Sequence, residues 1–263
     1  MGGTQSKVQY SAPISEPKKG ETAVYRHTEH KEALVTIPKN KATTIQEVLL
    51  SSFKLYAHEN YLGVRAVVSS TTDPKTGRNV NVLKDSYDFL TYQEVEKRAR
   101  ALGAAILAKD LSPVKSQFRK YNLRFAAIYG KNMLEWILTD IACNLYGITT
   151  VPVYDTLGDE AVEFMFKETE LTTLFLSADH VKKIAAKIKN GAFKFLKNLV
   201  ILDEINLMPE DEKNLEGVNW FKFNDLLKSG ESLLPKELPK VTPDDISFFS
   251  YTSGTTGNPK GAM

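Results

Sequence analysis

Residues 246–263 read Ile-Ser-Phe-Phe-Ser-Tyr-Thr-Ser-Gly-Thr-Thr-Gly-Asn-Pro-Lys-Gly-Ala-Met. The run from Ile246 to Tyr251 has the length and the apolar, aromatic content of a buried strand. Thr252, Ser253, Gly254, Thr255, Thr256, Gly257, Pro259, Lys260 and Gly261 follow at once. Hydroxyls, glycines and one lysine in that order suit a loop wrapped around phosphate. Glycine lets backbone N–H groups close on an anion, hydroxyls add donors, and Lys260 adds a full positive charge. The common phosphate-loop pattern is excluded, because it needs glycine before the lysine and a hydroxyl after it. Here Pro259 precedes Lys260 and Gly261 follows it.

The chain upstream alternates strands and helices. Thr44-Ile-Gln-Glu47 and Thr91-Tyr-Gln-Glu94 are capping boxes. The first opens a helix to about Asn60, and the second a helix whose inner face is Val95, Ala99, Leu102 and Ile106. Between them, Gly63 to Ser69 and Asn79 to Leu83 read as a hairpin around an Asp73-Pro-Lys-Thr-Gly77 turn. Strands are then expected at Leu123 to Tyr129, Ile148 to Val153, Thr173 to Leu176 and Leu199 to Leu202. Helices are expected at Asn132 to Tyr146 (Leu134, Ile137, Leu138, Ile141 and Leu145 inward), Asp159 to Glu170, Asp179 to Lys189 and Phe221 to Lys228. This alternation means an α/β fold: a mostly parallel sheet with helices on both faces, plus a small β-hairpin element.

The chain has 263 residues, 42% hydrophobic and 25% charged, with a net charge of +2. These are the proportions of a globular protein with a real core. They give no reason to expect a nucleic-acid partner. The one cysteine, Cys143, lies in an apolar helical pattern and reads as a buried, inert thiol. The four histidines show no metal-ligand spacing, so no metal site is expected in the chain. Asp203-Glu204 follows a strand and reads as loop chemistry, since neighbours on a strand point to opposite faces. The basic helix with Lys182, Lys183, Lys187 and Lys189 reads as a solvated face. No apolar run approaches the ~20 residues of a membrane span.

Residues 1–40 are polar, with prolines at 13, 17 and 38 and no apolar period, and read as a mobile arm. Residues 41–263 form the folded remainder. Met1-Gly-Gly-Thr-Gln-Ser6 matches the N-myristoylation pattern at Gly2. One acyl chain gives only marginal, reversible membrane binding. The expected location is the cytoplasmic face of a membrane, such as the endoplasmic reticulum, or the cytosol if Gly2 is not lipidated.

The string Tyr251-Thr-Ser-Gly-Thr-Thr-Gly-Asn-Pro-Lys-Gly261 resembles the signature of the adenylate-forming enzymes, which include acyl-CoA synthetases and firefly luciferase. Two further stretches resemble the long-chain fatty acyl-CoA synthetases within that group: Ile128-Tyr-Gly-Lys-Asn-Met-Leu-Glu-Trp136 and Val151-Pro-Val-Tyr-Asp-Thr-Leu-Gly158. Thr91 to Ile106 and Glu168 to Phe175 also look alike, so the resemblance covers most of residues 90–263. By its residues alone, Tyr154 to Gly158 is a strand-to-helix connection with Thr156 or Asp159 as the cap.

The resemblance implies a long-chain fatty acid–CoA ligase that uses ATP, Mg2+ and CoA. The fatty carboxylate attacks the α-phosphorus, and the CoA thiol then displaces AMP. It assigns the pyrophosphate grip to Lys260, with Thr252, Ser253, Gly254, Thr255, Thr256, Gly257 and Gly261 binding the nucleotide phosphates. It also implies further motifs downstream of Gly261, for adenine, magnesium and ribose, and a lysine on a mobile C-terminal domain. The chain therefore reads as an N-terminal part of the adenylate-forming large domain, truncated after the phosphate loop and inactive alone. The alternatives are another adenylate former acting on aryl or medium-chain acids, or an inactive nucleotide-binding fragment.

Overall fold

The computed structural model describes residues 9–72, 79–154, 157–252 and 259–263. The chain divides into two compact units, Met1–Thr43 and Thr44–Met263. In the first, expected as a mobile arm, β1 (Ser11–Pro13) and β2 (Tyr25–His27) form an antiparallel hairpin. Ile14 N–H donates to Val24 O at 2.8 Å and extends that ladder.

The second unit opens with α1 (Ile45–Leu55), which stops short of the expected Asn60. β3 (Asn60–Val64) follows, then the hairpin of β4 (Val67–Thr72) and β5 (Asn79–Leu83), and then β6 (Asp88–Thr91), which returns to pair with β3. The expected strand from Gly63 to Ser69 is thus two strands in two different pairings. The turn at 73–77 lies outside the described residues. α2 (Tyr92–Ala108) begins on a complete capping box: Thr91 Oγ1 accepts from Glu94 N–H at 3.3 Å, and the Glu94 carboxylate accepts from Thr91 N–H at 2.7 Å. Its predicted face, Val95, Ala99, Leu102 and Ile106, is wholly buried.

The central sheet comes next. β7 (Val114–Phe118) turns back into the long β8 (Tyr121–Tyr129). Four more strands alternate with helices: α3 (Leu134–Leu145), β9 (Thr149–Val153), α4 (Asp159–Thr169), β10 (Thr173–Leu176), α5 (Ala178–Lys189), β11 (Asn198–Ile201), α6 (Pro209–Asn214), β12 (Asn219–Lys222) and α7 (Phe223–Gly230). The order β9-β8-β10-β11-β12 is parallel throughout, with β7 antiparallel to β8.

Side chains on these strands alternate between two cores, as a period of two requires. Phe125, Ala127, Tyr129, Leu174, Leu176, Leu199 and Ile201 pack with Val162, Met165 and Phe166 of α4 and Val181 and Ile184 of α5. Ala126, Ile128, Phe175 and Val200 face the other way, onto α2, α3 and α7. Helices therefore cover both faces, as the alternation predicts. Three local expectations fail. Ile137 is not inward: it is 37% exposed and lines a groove beside β3. Of the two residues expected to cap α4, Thr156 lies outside the described residues and Asp159 is not the cap. Its N-cap is Gly158 at φ 76°, because Asp159 is drawn instead into ion pairs with Lys183 and Lys187. The helix expected from Phe221 starts at Phe223, because Asn219–Lys222 extends the sheet as β12.

α7 lies so close to α2 that Gly230 is required. A Cβ built there would stand 1.8 Å from the Ala101 carbonyl oxygen, which no rotamer change can relieve. Gly230→Ala is therefore expected to destabilise the chain by at least about 1–3 kcal/mol. In differential scanning calorimetry this is a fall in Tm of several degrees, and an unchanged Tm would refute the close approach.

Candidate active site at the terminal hairpin

The segment expected as one strand, Ile246 to Tyr251, is divided between two partners. Its first half joins the edge of β9: Thr150 N–H donates to Ser247 O (3.0 Å), Phe249 N–H donates to Thr150 O (2.9 Å), and Thr149 Oγ1 donates to Ile246 O (2.7 Å). Its second half is β13 (Ser250–Thr252), which turns back as β14 (Lys260–Ala262) with Tyr251 opposite Gly261 and Thr252 opposite Lys260. The two strands that flank the expected phosphate loop in sequence are thus rooted in the sheet. Ser253, Gly254, Thr255, Thr256 and Gly257 lie outside the described residues, as does Gly2. Thr252 and Lys260, both exposed, face each other across the base of the loop.

Aromatic packing holds that base. Phe249 is fully buried against Phe118, Phe125 and Tyr251, with ring centroids 5.5, 5.9 and 5.1 Å away. A Cβ at position 261 would lie 2.4 Å from the Phe249 ring, so β14 approaches closely only because residue 261 is glycine. The glycine read as a phosphate-loop residue thus also serves packing.

Three residues then tie the hairpin to the domain. Arg119 donates to Gly261 O (3.1 Å) on β14 and to one Glu168 oxygen (2.5 Å). The other Glu168 oxygen accepts from the Tyr251 hydroxyl (2.5 Å) on β13. Both strands are therefore bound through one carboxylate at the end of α4. Burial pushes the Tyr251 phenol up, reinforced by its hydrogen bond to Glu168. Arg119 also lies 5.3 Å from the centroid of the Phe249 ring. It stands with Lys120 in the two-residue β7–β8 turn, at φ 45° and 75°, conformations that non-glycine residues adopt only with strain.

The sequence reading assigned no role to Arg119 or Glu168. The adjacent Phe118-Arg119-Lys120 gives no turn signal, and Glu168 has the look of an ordinary helix-surface acid. A half-buried carboxyl beside Thr150 was missed as well. Asp140 on α3 is pushed up by burial, an effect partly offset by the Thr150 hydroxyl. The Cys143 thiol nearby is pushed far up by burial, as befits an inert group.

The sheet offers one competing location. Its strand order reverses between β8 and β10, and such a switch point commonly opens a ligand crevice at the carboxyl ends of the strands. Here the polar residues that follow those strands pair with other groups of the chain. Asp203 takes the N-terminus of α5 by accepting from Ala178 N–H at 2.5 Å, and Lys131 pairs with Asp179. Glu204 accepts from Asn224 at 2.6 Å. Asp203 and Glu204, read from sequence as loop chemistry, each accept one hydrogen bond from a neighbouring helix. Lys183 and Lys187 of the basic helix are likewise engaged, with Asp159 and Glu163 on α4. Among the described residues, no helix is long and apolar enough to cross a membrane.

Residues 70–263 match the family model described as AMP-binding enzyme. Long chain acyl-CoA synthetase 2 of Arabidopsis thaliana is 32% identical over 240 residues, which is 91% of this chain and 32% of that protein. A long-chain-fatty-acid–CoA ligase of Mus musculus is 31% identical over 67% of this chain and 25% of its own length. The chain thus spans about a third or less of these relatives. Among solved structures, the adenylation domain of a Mycobacterium chelonae carboxylate reductase superposes with a TM-score of 0.66 at 25% identity, covering 84% of this chain and 34% of that one. A fatty acyl-adenylate ligase from L. pneumophila, in complex with acyl adenylate and pyrophosphate, gives 0.53 at 16% identity over 87% and 31%.

Tyr251→Phe removes a hydroxyl bonded to a carboxylate and is expected to cost about 1.5–3 kcal/mol. A phenol raised in the folded state contributes stability below its unfolded pKa of about 10, and loses it as pH rises beyond that. Denaturant titrations between pH 8 and 11 should show a shallower alkaline loss for Tyr251→Phe than for the unaltered chain. Equal slopes would show that Tyr251 is not the group responsible.

Proposed function

The chain belongs to the AMP-binding enzyme family, and from that premise we propose that it supplies the phosphate grip of an ATP-dependent long-chain fatty acid–CoA ligase. The observation that carries this reading is the hairpin: the hydroxyl- and glycine-rich string hangs between two strands that Glu168 and Arg119 hold in fixed register. The long-chain synthetases among its relatives, and the stretches around Trp136 and Gly158 that resemble them, support the acid class.

In the proposed reaction a carboxylate oxygen of the fatty acid attacks the α-phosphorus of ATP. The bond to the β-phosphate oxygen breaks, and pyrophosphate leaves with the electron pair, giving acyl-AMP. The CoA sulfur then attacks the acyl carbonyl and AMP departs. No general base is needed in the first step, since the acid is already ionised. Negative charge grows on the departing phosphates, where Lys260, the hydroxyls of Thr252, Ser253, Thr255 and Thr256, and the loop amides would receive it. Gly254 and Gly257 would let the loop close over the nucleotide and reopen for pyrophosphate.

Mg2+ would arrive with the nucleotide and neutralise its phosphates. The Lys260 ammonium fits the grip: it is exposed beside the loop and paired with no carboxylate among the described residues. Glu168 does not fit as a metal ligand, because Arg119 and Tyr251 occupy both of its oxygens. The adenine, ribose and thioester steps would draw on the parts of the relatives that this chain does not span. A second reading, activation of another carboxylic acid, draws support from the fold shared with the carboxylate reductase domain. A panel of palmitate, octanoate and benzoate separates the two.

Lys260→Ala is expected to lower palmitate-dependent ATP–pyrophosphate exchange about 100- to 1,000-fold, the usual loss on removing one charge-stabilising donor. The assay belongs on the longest product of this reading frame, and near-normal exchange in the variant would refute the grip. At the other end, Gly2 is proposed as a myristoylation site that holds the chain loosely at a cytoplasmic membrane face. Intact-mass analysis after co-expression with an N-myristoyltransferase should show the added acyl group, and Gly2→Ala should abolish it.

A further inference from the structure

The histidines looked unrelated by spacing, yet two of them meet in the first unit. His27, Glu29 and His30 bring an imidazole nitrogen, a carboxylate oxygen and a second imidazole nitrogen within 4.8 Å of one another. The backbone does this. The chain turns sharply at the end of β2, where His30 N–H donates to His27 O at 2.9 Å, and Thr28 N–H donates to Tyr10 O at 3.0 Å. Side chains at the first, third and fourth positions of that turn then share one side, with the two rings 5.7 Å apart. A familiar metal-ligand spacing assumes a helix or a pair of loops, so a turn of this kind escapes it.

We propose that His27, Glu29 and His30 form a binding site for a divalent first-row cation, with Zn2+ the best match. Two imidazoles and one carboxylate are the donor set such ions favour, whereas Mg2+ and Ca2+ prefer oxygen alone. His27 Nδ1 accepts from the Glu29 amide at 3.3 Å, and an ion bound at either ring nitrogen would displace that hydrogen bond, since a ligating imidazole gives its one acceptor lone pair to the metal. All three side chains are exposed, so they can close from their present spacing to bonding distance by rotating about their own bonds. Three protein ligands leave a further position open to water, an open site rather than a closed structural one. The neighbouring Arg26 guanidinium donates to Lys31 O at 3.1 Å. The site lies wholly within residues 1–43 and is independent of the reaction proposed above.

The test is calorimetric titration of the whole chain with zinc chloride. One ion per chain is expected to bind saturably. His30→Ala and Glu29→Gln should each weaken binding about tenfold or more, as losing a group that supports a metal commonly does. His58→Ala, which alters a histidine outside the cluster, should bind as the unaltered chain does. Because the three residues are exposed, melting temperatures without zinc should be unchanged by their substitution, so a loss of binding cannot be read as unfolding. Absence of saturable binding to the unaltered chain would overturn the proposal. So would equal affinity in His30→Ala, or an equal loss in His58→Ala.

Discussion

Thr150 is hydrogen-bonded through both its N–H and its C=O to Ser247 and Phe249, and Thr149 beside it donates to Ile246. This short parallel splice fastens residues 246–249 to the sheet's edge strand β9, which lies far earlier in sequence. Everything beyond it depends on that fastening. Were residues 246–249 free, the hairpin that follows would be an isolated two-stranded ribbon, which is marginal in water. Once spliced, Phe249 drops into the core between Phe118 and Phe125, and Tyr251 reaches Glu168.

The second anchor is electrostatic and is built from unrelated parts of the chain. Arg119 comes from a strained turn, Glu168 from the last turn of a helix, and Tyr251 from the hairpin itself. An arginine fork shared between a carboxylate and a carbonyl is directional as well as attractive. It fixes the angle at which β13 and β14 leave the domain, and the proposed phosphate grip would need its donors aimed before the ligand arrives. Strain in the Arg119-Lys120 turn fits this arrangement, since strained backbone persists where surrounding contacts over-determine it. The packing glycine at 261 belongs to the same logic: it removes the atom that would push β14 off the Phe249 ring.

The two ends of the chain differ in kind. The hairpin site is tied by buried rings and shared hydrogen bonds, whereas the three His27–His30 cluster side chains are exposed and the turn is shaped mainly by local hydrogen bonds. The first is proposed to meet a large polyanion. The second is suited to a small ion whose own bonds complete the geometry.

The amino-acid order alone determined the elements governed by near neighbours. Both capping boxes, the buried stripe of α2 and the strands β5 and β10 were readable because each depends on contacts within a few residues or on a strict period. The family was readable for a similar reason, since its signature is one unbroken string. Tertiary structure decided what depends on distant partners. It divided the Ile246–Tyr251 run between two pairings, drew Asp159 from a cap into ion pairs, and joined Arg119 and Glu168 to Tyr251. It also gathered His27 and His30 around Glu29. A hydrogen-bonding group has no preference of its own among partners of equal chemistry, so only the folded chain, by bringing one of them within reach, makes the choice.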